Sequence, residues 1–406
     1  SSLGGIKMSL SRVRLAALDE HLRVNYIENQ RYPGVLTGIY RYGELVHASP
    51  LGFRDIDNRR PVERDTIFRI YSMTKPITSI ALMTLYEKGL FQLDDPVSRY
   101  LPQFSDLMVF SSGSLGDFQT TRPDREMTVR DLLSHQSGLT YGFMNRTNVD
   151  RAYADAGIGG IKTGGTLETM VNSLGQIPLE FSPGTRWNYS VSTDVCGYLI
   201  EVLSGKSLDI FLEEVIFQPL GMNDTAFSVE ESKKSRLASL YGFEEIGPPR
   251  LISDSEAGSF IKKPTFLSGG GGLTSTLDDY MAFCKMILGN GTHDGELIVS
   301  RKTIELMSSN HLPNGVDLQQ VALGRWSETQ YQGVGFGLGF SVLLSPSASQ
   351  VSGSKGELAW GGAASTAFWI DKSEGLAVIF LTQLLPSSAY NVRRELRTLV
   401  YSAIDD

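Results

Sequence analysis

The segment Ser72-Met73-Thr74-Lys75 sets a hydroxyl and an amine three positions apart at the start of a helical run, Ile77 to Glu87, that Gly89 ends. Residues at i and i+3 share a helix face, so the amine can reach the hydroxyl and the pair can work as a nucleophile beside its base. At a helix start the hydroxyl also meets the positive end of the dipole, where N–H groups are available to an oxyanion. Pro76 fits, because a first turn tolerates proline. For Lys75 to accept a proton its pKa must drop from about 10.4 toward 7, roughly 4–5 kcal/mol of desolvation and like-charge repulsion, which demands a buried cleft. Taken alone, Ser72 would equally suit a helix cap. The same spacing recurs at Ser259-Phe260-Ile261-Lys262 and Ser352-Gly353-Ser354-Lys355, in loop-like sequence beside glycine, where solvated residues are expected.

Two more segments carry candidate chemistry. Phe181 to Val191 reads as a turn, Ser182-Pro183-Gly184, and a short stretch leading into a helix at Ser192. Tyr189 in that stretch can relay a proton to a leaving alkoxide, although a lone tyrosine more often belongs to a core or a rim. Leu358-Ala359-Trp360-Gly361-Gly362-Ala363 precedes a strand at Ala364. Paired glycines let a strand edge approach substrate, so the N–H of Ala363 would join that of Ser72 in an oxyanion hole, with Trp360, Gly361 and Gly362 lining the substrate; by itself the pair also suits a β-bulge. Tyr141, just after Gly138-Leu139, is a candidate for the mouth of the cleft.

The elements that must position these groups fall into two kinds. A helix over Leu10 to Ile27 is followed by a hairpin, Val35 to Tyr40 and Glu44 to Ala48, turning at Arg41-Tyr42-Gly43. Strands return over Gly335 to Leu344, Ala364 to Ile370 and Leu376 to Thr382, and Val392 to Ile404 closes with helical spacing. Between them helical patterns dominate, at Val129 to Leu133, Leu167 to Leu174, Ser192 to Leu203, Leu208 to Ile216 and Leu277 to Leu288. The expected organisation is a sheet domain from residues 8–94 and 292–406, a mainly helical region over 95–291, and the site at their interface.

Composition removes several function classes. A net charge of -8 argues against a nucleic-acid partner, and no apolar stretch approaches the ~20 residues a membrane helix needs. Cys196 and Cys284 are the only cysteines, and His21, His47, His135, His293 and His311 never fall at i, i+4, so no metal site and no cofactor are expected. His135 invites a serine–histidine reading, but no Gly-x-Ser-x-Gly elbow accompanies it, so a structural role is expected. The first residues lack a basic-then-apolar signal pattern, which points to the cytoplasm, or to the periplasm if a leader preceded this sequence.

In this order, Ser72-x-x-Lys75, Tyr189-Ser190-Val191 and Trp360-Gly361-Gly362 resemble the S-x-x-K, Y-x-x and W-G-G elements of the family VIII carboxylesterases. These belong to the serine β-lactamase and penicillin-binding-protein superfamily and are nearest its class C branch. The stretches Arg130 to Leu139, Phe217 to Met222 and Gly272 to Thr276 are similar to family segments as well. The resemblance implies a β-lactamase-like α/β (α+β) fold, an antiparallel sheet flanked by helices with an inserted mainly helical region. It implies a serine esterase acting on short-to-medium acyl esters of small molecules, with Ser72 as nucleophile and Lys75 and Tyr189 moving protons. The chain departs from the β-lactamases and peptidases of the superfamily at two positions. Val191 stands where they carry Asn, and Trp360 where they carry the Lys that pairs with a substrate carboxylate. An uncharged indole suits an uncharged acyl or alcohol group, leaving β-lactam cleavage as a weak side activity. The competing readings are a β-lactamase or D-amino-acid amidase, an acyltransferase, and a non-catalytic ligand-sensing module. The oligomeric state is not legible in the sequence.

Overall fold

Leu376–Leu381 is apolar at every position and buried along its whole length, the pattern of a strand covered on both faces. It is central to an eight-stranded sheet in the computed structural model, which describes residues 10–160, 164–324 and 330–406. The strands are β1 (Gly34–Arg41), β2 (Glu44–Asp55), β3 (Arg60–Pro61), β4 (Val334–Phe336), β5 (Ser341–Leu343), β6 (Leu358–Gly361), β7 (Ala367–Asp371) and β8 (Leu376–Leu381). Their spatial order is β4-β5-β6-β7-β8-β1-β2-β3, and every neighbouring pair is antiparallel. The two ends of the chain therefore meet in one sheet, where β1 pairs with β8.

Alternation along the strands builds two cores. Leu376, Val378 and Phe380 of β8 pack with Leu18 and Leu22 of α1 (Arg12–Leu22) and Leu396 and Val400 of α6 (Val392–Ser402). Ala377, Ile379 and Leu381 point the other way, toward α2 (Thr74–Glu87) and α5 (Leu277–Leu288). Every residue of α2 from Thr74 to Leu85 is buried, so this is a core helix covered on all sides. It packs against α4 (Ser192–Ser204), which in turn meets α3 (Val129–Leu133).

The fold class is the expected one, and the hairpin turns at Tyr42 and Gly43 (φ 46° and 93°), but several strands differ from the sequence reading: Leu358–Gly361 is a strand in its own right, and the one after it begins at Ala367, not Ala364. The second hairpin strand continues to Asp55, because β1 and the short β3 pair along its far half. The run from Gly335 to Leu344 is a hairpin rather than one strand. Its turn holds Gly339 at φ 100°, where an added Cβ would lie 2.5 Å from the Ser79 side chain of α2.

Beneath the loop that carries Tyr141 lies a buried acidic pair. Thr140 donates to Asp150 at 2.6 Å, and Thr147 donates to Glu180. Burial, reinforced by Asp150, pushes the Glu180 carboxyl up to about 7. The folded chain thus keeps a proton that an unfolded glutamate, near pH 4.5, has released. That contribution is complete below about pH 4.5 and is lost as pH rises through 7. Thermal unfolding of the wild type and Glu180→Gln between pH 4 and 8 should show the wild type losing more stability over that range, on the order of 2–3 kcal/mol. Parallel curves would rule out this assignment.

Candidate active site

The nucleophile turn is built from an unfavourable backbone conformation that its surroundings hold. Tyr71 has φ 42°, outside the usual region for a side chain of its size, and its buried ring packs edge-on against Phe260 at 5.7 Å. Ser72 follows in a 3₁₀ turn, Tyr71–Met73, that runs directly into α2. The turn is anchored on one side by Ile70 N–H, which donates to Leu273 O at 3.1 Å. On the other side lies the end of β6, where a Cβ on Gly362 would sit 2.6 Å from Ile70 O.

Ser72 Oγ accepts hydrogen bonds from two groups, Tyr189 OH and, at 3.2 Å, Lys75 Nζ. Lys75, 1% exposed, also donates to Tyr141 OH and to Gly270 O, both at 2.7 Å. Three acceptors match the three N–H bonds of an ammonium. Two aromatic faces add to its stabilisation, with the Nζ 4.5 Å from the ring centre of Tyr189 and 5.1 Å from that of Tyr141. The arrangement sets a serine hydroxyl between an amine and a phenol at a helix start, a geometry suited to acyl transfer.

Tyr141 is thus drawn deeper than the mouth of the cleft, with its hydroxyl on Lys75 and its ring stacked on half-exposed Phe143. Trp360 is 2% exposed and packs edge-on against Tyr189 (5.3 Å) and Phe336 (5.4 Å), so its indole forms a wall that fixes Tyr189. Gly361 and Gly362 face different neighbours. A Cβ on Gly361 would meet Arg393, whose guanidinium donates to Gly362 O (2.9 Å) and Thr366 O (2.7 Å) and so holds the turn that presents Ala363. Among the described residues no acceptor takes the Ala363 N–H.

His135 lies close without touching the serine. Its ring is 5.2 Å from that of Tyr189, its Nδ1 pairs with Ser190 Oγ at 3.0 Å, and burial first, then the Lys75 charge, hold its pKa well below the ordinary value. It is a neutral packing group beside Tyr189. Of the other two Ser-x-x-Lys matches, Ser259 donates to Asp254 at 2.7 Å within a loop, and Ser352 lies in an irregular segment after β5.

Sequence reasoning missed one support. Asp194, in the first turn of α4, accepts from Ser268 Oγ (2.6 Å) and from the N–H of Gly270 (2.9 Å), anchoring the residue whose own carbonyl accepts from Lys75. Burial raises its pKa against the opposing pull of Lys75 and these bonds. Its place five residues after Tyr189 and the glycine run Gly269–Gly272 were visible, but nothing in the spacing tied one to the other.

Comparison with known proteins identifies the family. The family profile described as beta-lactamase matches residues 18–402. The chain belongs to the β-lactamase family. An uncharacterised Mycobacterium tuberculosis protein is 34% identical over 357 residues, covering 87% of this chain and 86% of that one. Esterase EstB of Burkholderia gladioli is 29% identical over 398 residues, covering 94% of each. The solved structure of EstCE1, described as a hydrolase with promiscuous acyltransferase activity, superposes with a TM-score of 0.80 at 28% identity, over 96% of this chain and 99% of that one. Within the serine β-lactamase and penicillin-binding-protein superfamily, the chain groups with the family VIII esterases and is a serine hydrolase of that fold.

Two substitutions probe the supports. Asp194→Ala should slow phosphonylation of Ser72 by a fluorophosphonate about ten- to a hundred-fold, and Asp194→Asn, which keeps an oxygen for Ser268 and Gly270, should lose less. Equal rates in all three proteins would remove Asp194 from the site. Gly362→Ala, whose methyl meets a backbone oxygen, should displace the oxyanion turn and lower the same rate about a hundred-fold with unchanged circular dichroism. A wild-type rate would mean that the turn has room.

Proposed function

We propose that the protein is a serine carboxylesterase that cleaves short-to-medium acyl esters through an acyl-enzyme on Ser72. The observation that carries this reading is the convergence of Tyr189 OH and Lys75 Nζ on one serine oxygen at the start of a buried helix. Each carrier donates to Ser72 in the resting arrangement, so one must release its own proton before it can take the serine's. Their closeness makes the two titrations one coupled event. Ser72 Oγ then attacks the ester carbonyl as its proton passes to this pair. The oxyanion sits on the N–H groups of Ser72 and Ala363, and the alkoxide leaves with the proton returned through Tyr189. Water, activated by the same pair, hydrolyses the acyl-enzyme and frees Ser72.

Substrate preference follows from what the wall offers. With Val191 and buried Trp360 at the two diagnostic positions, neither supplies a polar or cationic contact for a β-lactam carboxylate, which favours uncharged esters. A second reading, acyl transfer to an alcohol in place of water, draws support from the similarity to EstCE1. Initial rates on p-nitrophenyl butyrate and nitrocefin, for wild type and folded Ser72→Ala, test the assignment. Ester turnover should exceed nitrocefin turnover in kcat/KM and vanish in the variant, and Tyr189→Phe should cost on the order of 10²–10⁴ in rate. Nitrocefin as the better substrate would make the protein a lactamase. A transester product in the presence of added alcohol would favour the transferase.

A further inference from the structure

A cavity of about 570 Å³ lies on the face of the sheet turned away from Ser72. Along β6 and β7 the side chains of Leu358, Trp360, Phe368 and Ile370 join the core beside α2, so Ala359 and Trp369 point to the opposite side, toward α1 and α6. There the sheet, residues 387–391 and the first turns of α6 enclose the cavity. Of its described lining residues, Trp360 and Arg393 also serve the Ser72 site, Trp360 as the wall beside Tyr189 and Arg393 through the Gly362 turn.

The walls are mixed in a definite way. Leu343, Val351, Ala359 and the Trp369 ring supply apolar surface. Arg393, Arg394 and Arg397 stand at the α6 side, against one carboxylate of the described lining, Glu357. That carboxylate is already engaged, since it accepts from Arg397 and, at 2.7 Å, from Tyr401 OH. Arg394 is exposed and, among the described residues, has no ion-pair partner. The eleven-residue α6 starts beside it with no side-chain cap on Asn391, leaving first-turn N–H groups to favour negative charge. Trp369, 2% exposed in the cavity wall, has an indole N–H with no acceptor. A chain of net charge -8 thus concentrates cations and spare donors around one partly apolar hollow.

We propose that this cavity binds an amphiphilic organic anion, with its carboxylate at Arg394 and the start of α6 and its hydrocarbon part along Leu343, Val351 and Ala359. The volume falls within the range of small-molecule sites, and a guanidinium matches a carboxylate in shape as well as charge. The site is independent of what Ser72 acts on.

Calorimetric titration of the full chain with octanoate, before and after Ser72 is blocked by a fluorophosphonate, tests the site. One molecule should bind with the same Kd in both states, and octyltrimethylammonium should not bind. Arg394→Gln, a change at an exposed side chain, should weaken octanoate at least about ten-fold. Ala359→Phe, which fills the hollow from the sheet, should abolish binding whether or not Ser72 reacts. Absence of octanoate binding, its loss on blocking Ser72, indifference to both substitutions, or equal binding of the cation would each overturn the proposal.

Discussion

Burial of the Lys75 ammonium is the constraint from which the rest of the site follows. A charge removed from water must have its N–H bonds met, and a single missing acceptor costs about 1–3 kcal/mol or more. The three acceptors come from three separate parts of the chain: Ser72 in the same turn, Tyr141 after α3, and Gly270 before α5. Each of those segments therefore needs a support of its own. Asp194 anchors Gly270 by its N–H, the Thr140–Asp150 contact steadies the Tyr141 loop, and the burial of α2 from Thr74 to Leu85 holds Lys75 beneath the turn that carries Ser72.

Tyr189 is placed by shape rather than by charge. Trp187 lies parallel to it, and His135, Tyr141 and Trp360 meet it at steep angles with ring centres 5.1 to 5.3 Å away. Such packing leaves the phenol little freedom except along its hydroxyl, which is directed at Ser72. The same ring of uncharged groups sets the chemical character of the cleft. A superfamily member that holds a substrate carboxylate needs a cation there, and here the position is filled by a buried indole.

The sheet serves the site at one edge of its central strands. The β6 strand ends at Gly361, and at Gly362, the next residue, only a residue without Cβ can lie so near the Ile70 carbonyl. Arg393 reaches from the opposite face to hold the same turn by two carbonyls. The turn at Gly362 thus depends on both layers of the molecule: the Ile70 turn that leads into α2 on one face, α6 on the other.

Local chemistry decides what a sequence can announce. The serine–lysine spacing, the helical period after it, the alternating or continuous apolar strands and the paired glycines are short-range features, and they were enough to point to Ser72, Lys75 and Ala363 as candidates and to the mixed fold, whereas Tyr189 stood out through the family resemblance. Where a strand stops depends on its partners, so the length of β2 and the hairpin over Gly335 to Leu344 were not legible. The spacing also left three Ser-x-x-Lys segments; the helix that follows Ser72 was legible, but the burial of Lys75 and its contact with Ser72, which set that segment apart, belong to the tertiary structure. The roles of Asp194 and Gly270, the depth of Tyr141 and the cation-rich hollow behind the sheet join residues tens to hundreds of positions apart, and such contacts exist only once the chain has closed on itself.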